Sequence, residues 1–176
     1  LWANASTEFR VFDPTGVLER LQSGDISVFM GVPTLYYRML QHVDRTRINV
    51  SKVRLFTSGS APLPVQVHHQ FQQLFSKTIL ERYGMTEVGI VLSNPYNEER
   101  RVGSVGFPVG DTLVQVVSED GSILADNEIG ELWHKGSSVI SKYLNKPQQT
   151  AKSIYNGWLK SGDLGYRDSD GYIYIV

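Results

Sequence analysis

The stretch Val53–Glu87, "VRLFTSGSAPLPVQVHHQFQQLFSKTILERYGMTE", decides how this chain is read. It begins with a short apolar run, Val53 to Thr57, that reads as a strand. The chain then turns through Ser58-Gly59-Ser60-Ala61 and enters a helix opened by Pro62 and Pro64. Apolar residues recur at Val67, Phe71, Leu74 and Phe75, the spacing of one helical face. A second strand follows at Thr78–Arg82, and Tyr83-Gly84-Met85-Thr86 reads as the loop after it. Upstream, "DISVFMGVPTLYYRML" repeats the pattern: strand Ile26–Met30, loop Gly31–Thr34, then Leu35, Tyr36, Met39 and Leu40 at helical spacing. Pro33 sits where a first helical turn tolerates it.

Strands alternating with helices predict a parallel sheet, because parallel neighbours need a crossover and the helix supplies it. Ligands of such sheets bind beyond the carboxyl ends of the strands. All three loops fall at that end.

From about Gly103 the pattern changes. Short alternating runs at Leu113–Val117, Ser122–Leu124 and Glu131–His134 are separated by the turn signals "EDGS", "NEIG" and "HKGS", which predicts a small antiparallel sheet or barrel. The expected fold class is therefore α/β, with parallel strand-loop-helix units followed by a small antiparallel, barrel-like part. Residues 1–98 are expected to form the α/β part and 99–176 the β-rich part, with the polar segment "NPYNEERRVGSVG" (Asn94–Gly106) suited to a linker.

Composition narrows the function. The 176 residues are 41% hydrophobic and 20% charged, an ordinary globular balance, and the net charge of −1 offers no broad basic field for nucleic acid or an anionic membrane. The absence of cysteine excludes disulfides and thiolate chemistry. No apolar run approaches the length of a spanning helix, and residues 1–20 lack a signal-peptide pattern. The expected compartment is the cytoplasm, or the mitochondrion if a targeting segment precedes Leu1. The start at Leu1 and the stop inside the alternating run "GYIYIV" are expected of a fragment.

Four places carry residues suited to chemistry. Small residues at Ser58–Pro62 let a flat ligand approach the backbone, although for this loop alone a tight turn without a ligand is the simpler explanation. Tyr83 offers a stacking face, Thr86 a donor to a phosphate oxygen, and Glu87 a carboxylate for a divalent cation bridging phosphates. The same Thr-Glu pair also reads as a helix cap. Asp163, in Ser161-Gly162-Asp163, can accept two hydrogen bonds from a ribose diol or simply close a turn. Arg100 and Arg101 follow Glu98 and Glu99, so they read either as a solvated charge run or as a fork for an anionic ligand. His68 and His69 read as surface or flank positions without metal partners, and His134 gives no metal spacing.

The order of these segments is more specific than any one of them. "TSGSAPLP", "ERYGMTE", "GSVGFPV", "GELWHKG", "VISKYLNKPQQT" and "GWLKSGDLGYRDSDGYIYI" together resemble the adenylate-forming superfamily of acyl-CoA synthetases, luciferases and peptide-synthetase adenylation domains, over nearly the whole chain. "FMGVPTLYYRML", "SGSAPL", "LERYGMTE" and "SNPYNEERRVGSVGFPV" look most like the malonyl-CoA synthetases of that superfamily. The resemblance implies ATP, Mg²⁺ and coenzyme A, with malonate as the acid; another small or aromatic acid, or a non-catalytic nucleotide-binding role, stands as the alternative.

It also implies roles. Ser60, Ala61 and Pro62 would border adenine, while Glu81, Arg82, Tyr83 and Gly84 would line the adenine and ribose side. Thr86 would bind the α-phosphate, Glu87 the metal and Asp163 the ribose hydroxyls. Ser58 would face the acid, and Arg100, with Arg101 as fallback, would pair with malonate's distal carboxylate. Ser161 stands where threonine is common, Val102 where proline is frequent, and "PVGDTLV" lacks a common Pro-Gly turn. The superfamily's phosphate loop, hinge and catalytic lysine are expected outside Leu1–Val176.

Overall fold

The computed structural model describes residues 5–8, 11–42 and 48–176. Helix α1 (Pro14–Gln22) starts where the Asp13 side chain accepts the Gly16 N–H at 2.7 Å, with proline in the first turn where no backbone N–H is needed. Strand β1 (Val28–Gly31), helix α2 (Pro33–His42), strand β2 (Leu55–Ser58), helix α3 (Val65–Phe75) and strand β3 (Ile79–Met85) follow in the order the sequence predicts.

β1, β2 and β3 pair in parallel, and their register sets Gly31, Ser58 and Glu81 side by side in one row. That row lies toward the carboxyl ends of the strands, where the small-residue loops begin. The helices close over an aromatic core. Tyr36 is fully buried, donates its hydroxyl to the Thr57 carbonyl at 2.7 Å, and meets Phe71 edge to face at 5.4 Å. Phe71 in turn packs on Phe56 at 4.9 Å. Each such ring contributes roughly 1.5–3 kcal/mol by burial, which fixes α2 and α3 against the sheet.

Two expectations change here. Tyr83-Gly84-Met85 is not a loop: β3 runs through Met85 and turns at Thr86–Val88 into antiparallel strand β4 (Gly89–Ser93), which pairs with β5 (Phe107–Pro108). The register slips between Tyr83 and Gly84, and a Cβ on Gly84 would lie 2.0 Å from the Gly89 carbonyl oxygen. Only glycine lets the two backbones cross so closely, so the glycine that read as a loop marker is a strand bulge. His68 is also no surface residue. It is 1% exposed, on the same face as Phe71 and Phe75.

The second sheet comprises β6 (Leu113–Val117), β7 (Gly130–Lys135), β9 (Trp158–Arg167) and β10 (Ile173–Ile175) in the order β10-β9-β7-β6, with β8 (Ile154–Tyr155) off β9. All its pairings are antiparallel, as expected, and it curls around Val88, Val91, Leu92, Leu132, Leu159 and Ile173. The run Ser122–Leu124 forms no strand. It makes one bridge, Ile123 to Val117, because the turn at Ser118–Ser122 folds it straight back. Helix α4 (Pro147–Ser153) has no buried residue and therefore no apolar periodicity to announce it.

The segment read as a linker is pinned rather than free. Asn94 is 3% exposed and its Nδ2 donates to the Glu81 and Ser104 carbonyls, at 3.2 and 2.6 Å. Ser104 Oγ donates to the Ile173 carbonyl at 2.9 Å, and Gly106 bridges Ile173. Among the described residues, no helix is long and apolar enough to cross a membrane.

Candidate active site

A cavity of about 230 Å³ opens at the carboxyl ends of β2 and β3, walled by Ser58, Ser60–Leu63, Glu81–Gly84, Gly103, Val105, Asp163 and Ile175. Ser60 adopts φ +68°, a left-handed conformation that costs a non-glycine residue about 1 kcal/mol. The loop thus tightens directly after Ser58 and brings Ala61 and Pro62 over the opening.

Tyr83 crosses the cavity. Its hydroxyl donates to Asp163 Oδ2 at 2.5 Å, joining residues 80 positions apart and the first sheet to the second. Burial raises the phenol's pKa above its ordinary value, and the Asp163 bond raises it further, so it remains a neutral donor. Behind the ring, His134 stacks at 5.6 Å and 30°. Burial lowers the His134 pKa to about 4, so its imidazole is neutral near pH 7.

Asp163 reaches this position through a bulge. Glu131 pairs with Leu164 and Trp133 with Lys160, so Ser161, Gly162 and Asp163 stand opposite Leu132 alone. The Gly162 N–H donates to Glu131 Oε1 at 2.8 Å, and the Asp163 N–H to Ser161 Oγ at 3.0 Å. Extra residues in one strand leave the ladder and re-aim a side chain. The Asp163 carboxylate is aimed in this way at the cavity.

Thr86 and Glu87 lie in the β3–β4 turn, just past the cavity wall. Thr86 is exposed; Glu87 is half-buried and accepts the Tyr143 hydroxyl at 3.1 Å, while its carbonyl accepts the Ile140 N–H. No cluster of three or more metal-ligating side chains occurs among the described residues. A single carboxylate suits magnesium, which keeps water and takes its remaining ligands from phosphate oxygens.

Arg100 and Arg101 are placed elsewhere. Arg100 donates to the carbonyls of Pro95, Thr78 and Tyr96 at 3.2, 3.0 and 2.9 Å. It lines a different depression, of about 300 Å³, at the amino ends of β2 and β3. That depression is larger but open and polar, and it lies away from the loops. Arg101 binds Asp168 at 2.7 Å and Asp170 at 3.0 Å, with its guanidinium 4.1 Å over the Tyr172 ring. The structure brings Ser58, Ser60, Ala61, Pro62, Glu81, Arg82, Tyr83, Gly84 and Asp163 together, with Thr86 and Glu87 adjoining, and leaves both arginines outside.

Buried polar atoms without partners mark the same place. Among the described residues they are Thr57 Oγ1, Ser58 Oγ, Arg82 Nε and both ring nitrogens of His68 and of His134. Ser58 and Arg82 line the cavity, Thr57 adjoins Ser58, His68 faces Glu81 at 3.6 Å, and His134 backs Tyr83. Buried polar groups are ordinarily bonded, so this concentration is where the polar groups of a ligand would find partners. Neither histidine was expected to matter. His68 falls three and seven residues before Phe71 and Phe75 on the apolar face, and His134 alternates with the exposed side of β7, so both patterns carried the signal.

The profile of the family described as "AMP-binding enzyme" matches residues 5–144. The chain belongs to the AMP-binding enzyme family. The adenylate-forming resemblance and the mixed α/β fold expected from the sequence both agree with this membership. A long-chain-fatty-acid–CoA ligase of Bacillus subtilis is 36% identical to this chain over 167 residues, which is 94% of the chain and 30% of that relative. The human mitochondrial malonate–CoA ligase ACSF3 is 34% identical, with 98% of the chain and 37% of that relative covered. Among solved structures, ATP-bound MatB from Rhodopseudomonas palustris superposes with a TM-score of 0.88 at 37% identity, covering 93% of the chain and 33% of MatB. The chain thus spans about a third of the length of these relatives.

Proposed function

We propose that this chain is the nucleotide-facing part of an acyl-CoA ligase that uses ATP to adenylate a small carboxylic acid, with malonate as the preferred acid, and passes the acyl group to coenzyme A. The observation that carries the reading is the Tyr83–Asp163 bond across the cavity. It sets an aromatic face beside an acidic acceptor on the cavity wall, which supports a reading in which Tyr83 stacks on a base and Asp163 takes the ribose hydroxyls. Ser60, Ala61 and Pro62 border the adenine, Glu81 and Arg82 line its edge, and Gly84 leaves room for the backbone to approach. Thr86 donates to the α-phosphate and Ser58 faces the acid.

In the reaction, a carboxylate oxygen attacks the α-phosphorus and expels pyrophosphate; the coenzyme A thiol then attacks the acyl carbon and releases AMP. These residues bind and align rather than react covalently, and alignment is itself a large part of such rate enhancements. Glu87 would hold Mg²⁺, whose positive charge offsets the charge of the phosphates.

Malonate is drawn from the relatives and not from Arg100 or Arg101, whose donors are engaged by carbonyls and carboxylates of the chain itself. The test is acid-dependent pyrophosphate release by the protein that contains this chain, with malonate, methylmalonate, acetate and octanoate compared. The expected result is the highest kcat/KM for malonate. Preference for octanoate would assign the chain to a fatty-acid ligase, and no release with any acid would remove the ligase reading.

A further inference from the structure

We infer that His68 is a positioning residue that holds the Glu81 carboxylate toward the nucleobase side of the cavity. This rests on the nucleotide reading of the cavity and adds to it the device that orients its polar wall.

Glu81 ends the row Gly31–Ser58–Glu81 across the parallel sheet, 5% exposed and lining the cavity. A carboxylate so buried needs donors to remain in place. One is the Gly103 N–H, which reaches Oε1 at 3.1 Å. His68 is the other group on that oxygen, with Nδ1 at 3.6 Å. At that length the contact is electrostatic, just beyond hydrogen-bond range.

His68 has no other engagement. Both its ring nitrogens are buried and without hydrogen-bond partners, which is costly for a residue on the apolar face of α3. Packing alone would be better served there by leucine. The imidazole faces that one carboxylate: the Gly103 N–H bonds Oε1, and His68 Nδ1 stands behind the same oxygen at electrostatic range. Oε2 takes no hydrogen bond among the described residues and is left as the acceptor for a ligand's amino group. A carboxylate fixed in this way distinguishes a purine bearing an exocyclic amine from one bearing a carbonyl at the same position, since the carbonyl would meet it acceptor to acceptor.

The experiment measures AMP and IMP binding by calorimetry in the protein that contains this chain, for wild type, His68→Leu, His68→Asn and Glu81→Gln. Wild type is expected to favour AMP. His68→Leu should weaken AMP about tenfold while changing IMP little, so that the AMP/IMP ratio collapses. His68→Asn, which returns an N–H close to the Nδ1 position, should restore the ratio. In a Glu81→Gln background, His68→Asn should shift nothing further; this arm stands even if His68→Leu does not fold. An unchanged AMP/IMP ratio in folded His68→Leu, or failure of His68→Asn to restore it, overturns the inference and leaves the cavity reading intact. Wild type that binds neither nucleotide overturns the cavity reading and, with it, the role of His68.

Discussion

At the scale of single residues, His134 makes a prediction that needs no ligand. Its pKa in the folded chain is about 4, against an ordinary 6.5, so between those values the unfolded chain binds the proton more readily than the folded one. Its contribution is complete above pH 6.5, declines as the pH falls, and is lost below pH 4. A shift of that size corresponds to roughly 3 kcal/mol. His134→Val should flatten this acid loss, and urea midpoints at pH 7.5 and pH 4.5 check it. A variant as acid-sensitive as the wild type would assign the decline to other groups. Glu87 makes a second prediction, in catalysis. Glu87→Ala should lower pyrophosphate release about a hundredfold or more, by removing a charge that holds the metal against the phosphates. Rates that stay near wild type with saturating Mg²⁺ would remove that role.

Why were some residues legible and others not? Tyr83 and Asp163 could be singled out because their chemistry and glycine neighbours show in the string, yet nothing in the string joins positions 80 apart. Arg100 shows the opposite failure. A guanidinium near a site motif suggests a ligand, whereas its donors go to the backbone carbonyls of Thr78, Pro95 and Tyr96. Sequence carries the type of a donor but not its direction.

At the scale of elements, the parallel strands and their helices were readable because each unit is local: a run, a turn with proline or small residues, and a helical stripe. The second sheet was only partly readable. β9 is interrupted by the bulge at Ser161–Asp163, which breaks alternation and imitates a turn. The Tyr83-Gly84 bulge misled in the same way. It yields a contrast between two glycines of one hairpin. Gly84→Ala places a methyl 2.0 Å from the Gly89 carbonyl and should cost about 3 kcal/mol or more, a fall of roughly 6–12 °C in Tm. Gly89→Ala has φ +68° but open space around it, and should cost only about 1 kcal/mol. Thermal melts of the two variants decide it; equal losses would mean that the close approach at Gly84 relaxes readily.

At the scale of the whole molecule, the two sheets share the apolar cluster of Val88, Val91, Leu92, Leu132, Leu159 and Ile173 and are also joined at two polar junctions. Ile173 accepts the Ser104 hydroxyl and the Val105 N–H and donates to the Gly106 carbonyl, while Tyr83 meets Asp163. Both junctions are beside the cavity, so ligand and sheet packing should support each other. AMP at a hundredfold its Kd is expected to add about 2.7 kcal/mol of stability. Hydrogen exchange should show that protection at the amides of Val105 and Ile173 as well as in the loops. Protection confined to Ser58–Leu63 would mean that the nucleotide touches one sheet only.

The Ile173 junction also bears on how the chain comes off the ribosome. The aromatic core over β1, β2 and β3 needs nothing beyond Ile79 and can form while synthesis continues. The wall bearing Asp163 cannot be secured until the residues around 173 have emerged, close to the last residues of this stretch. Nucleotide binding that uses Asp163 therefore follows the formation of that core, and a nascent chain halted near residue 150 would carry the β1–β3 core beside a cavity that lacks its Asp163 wall.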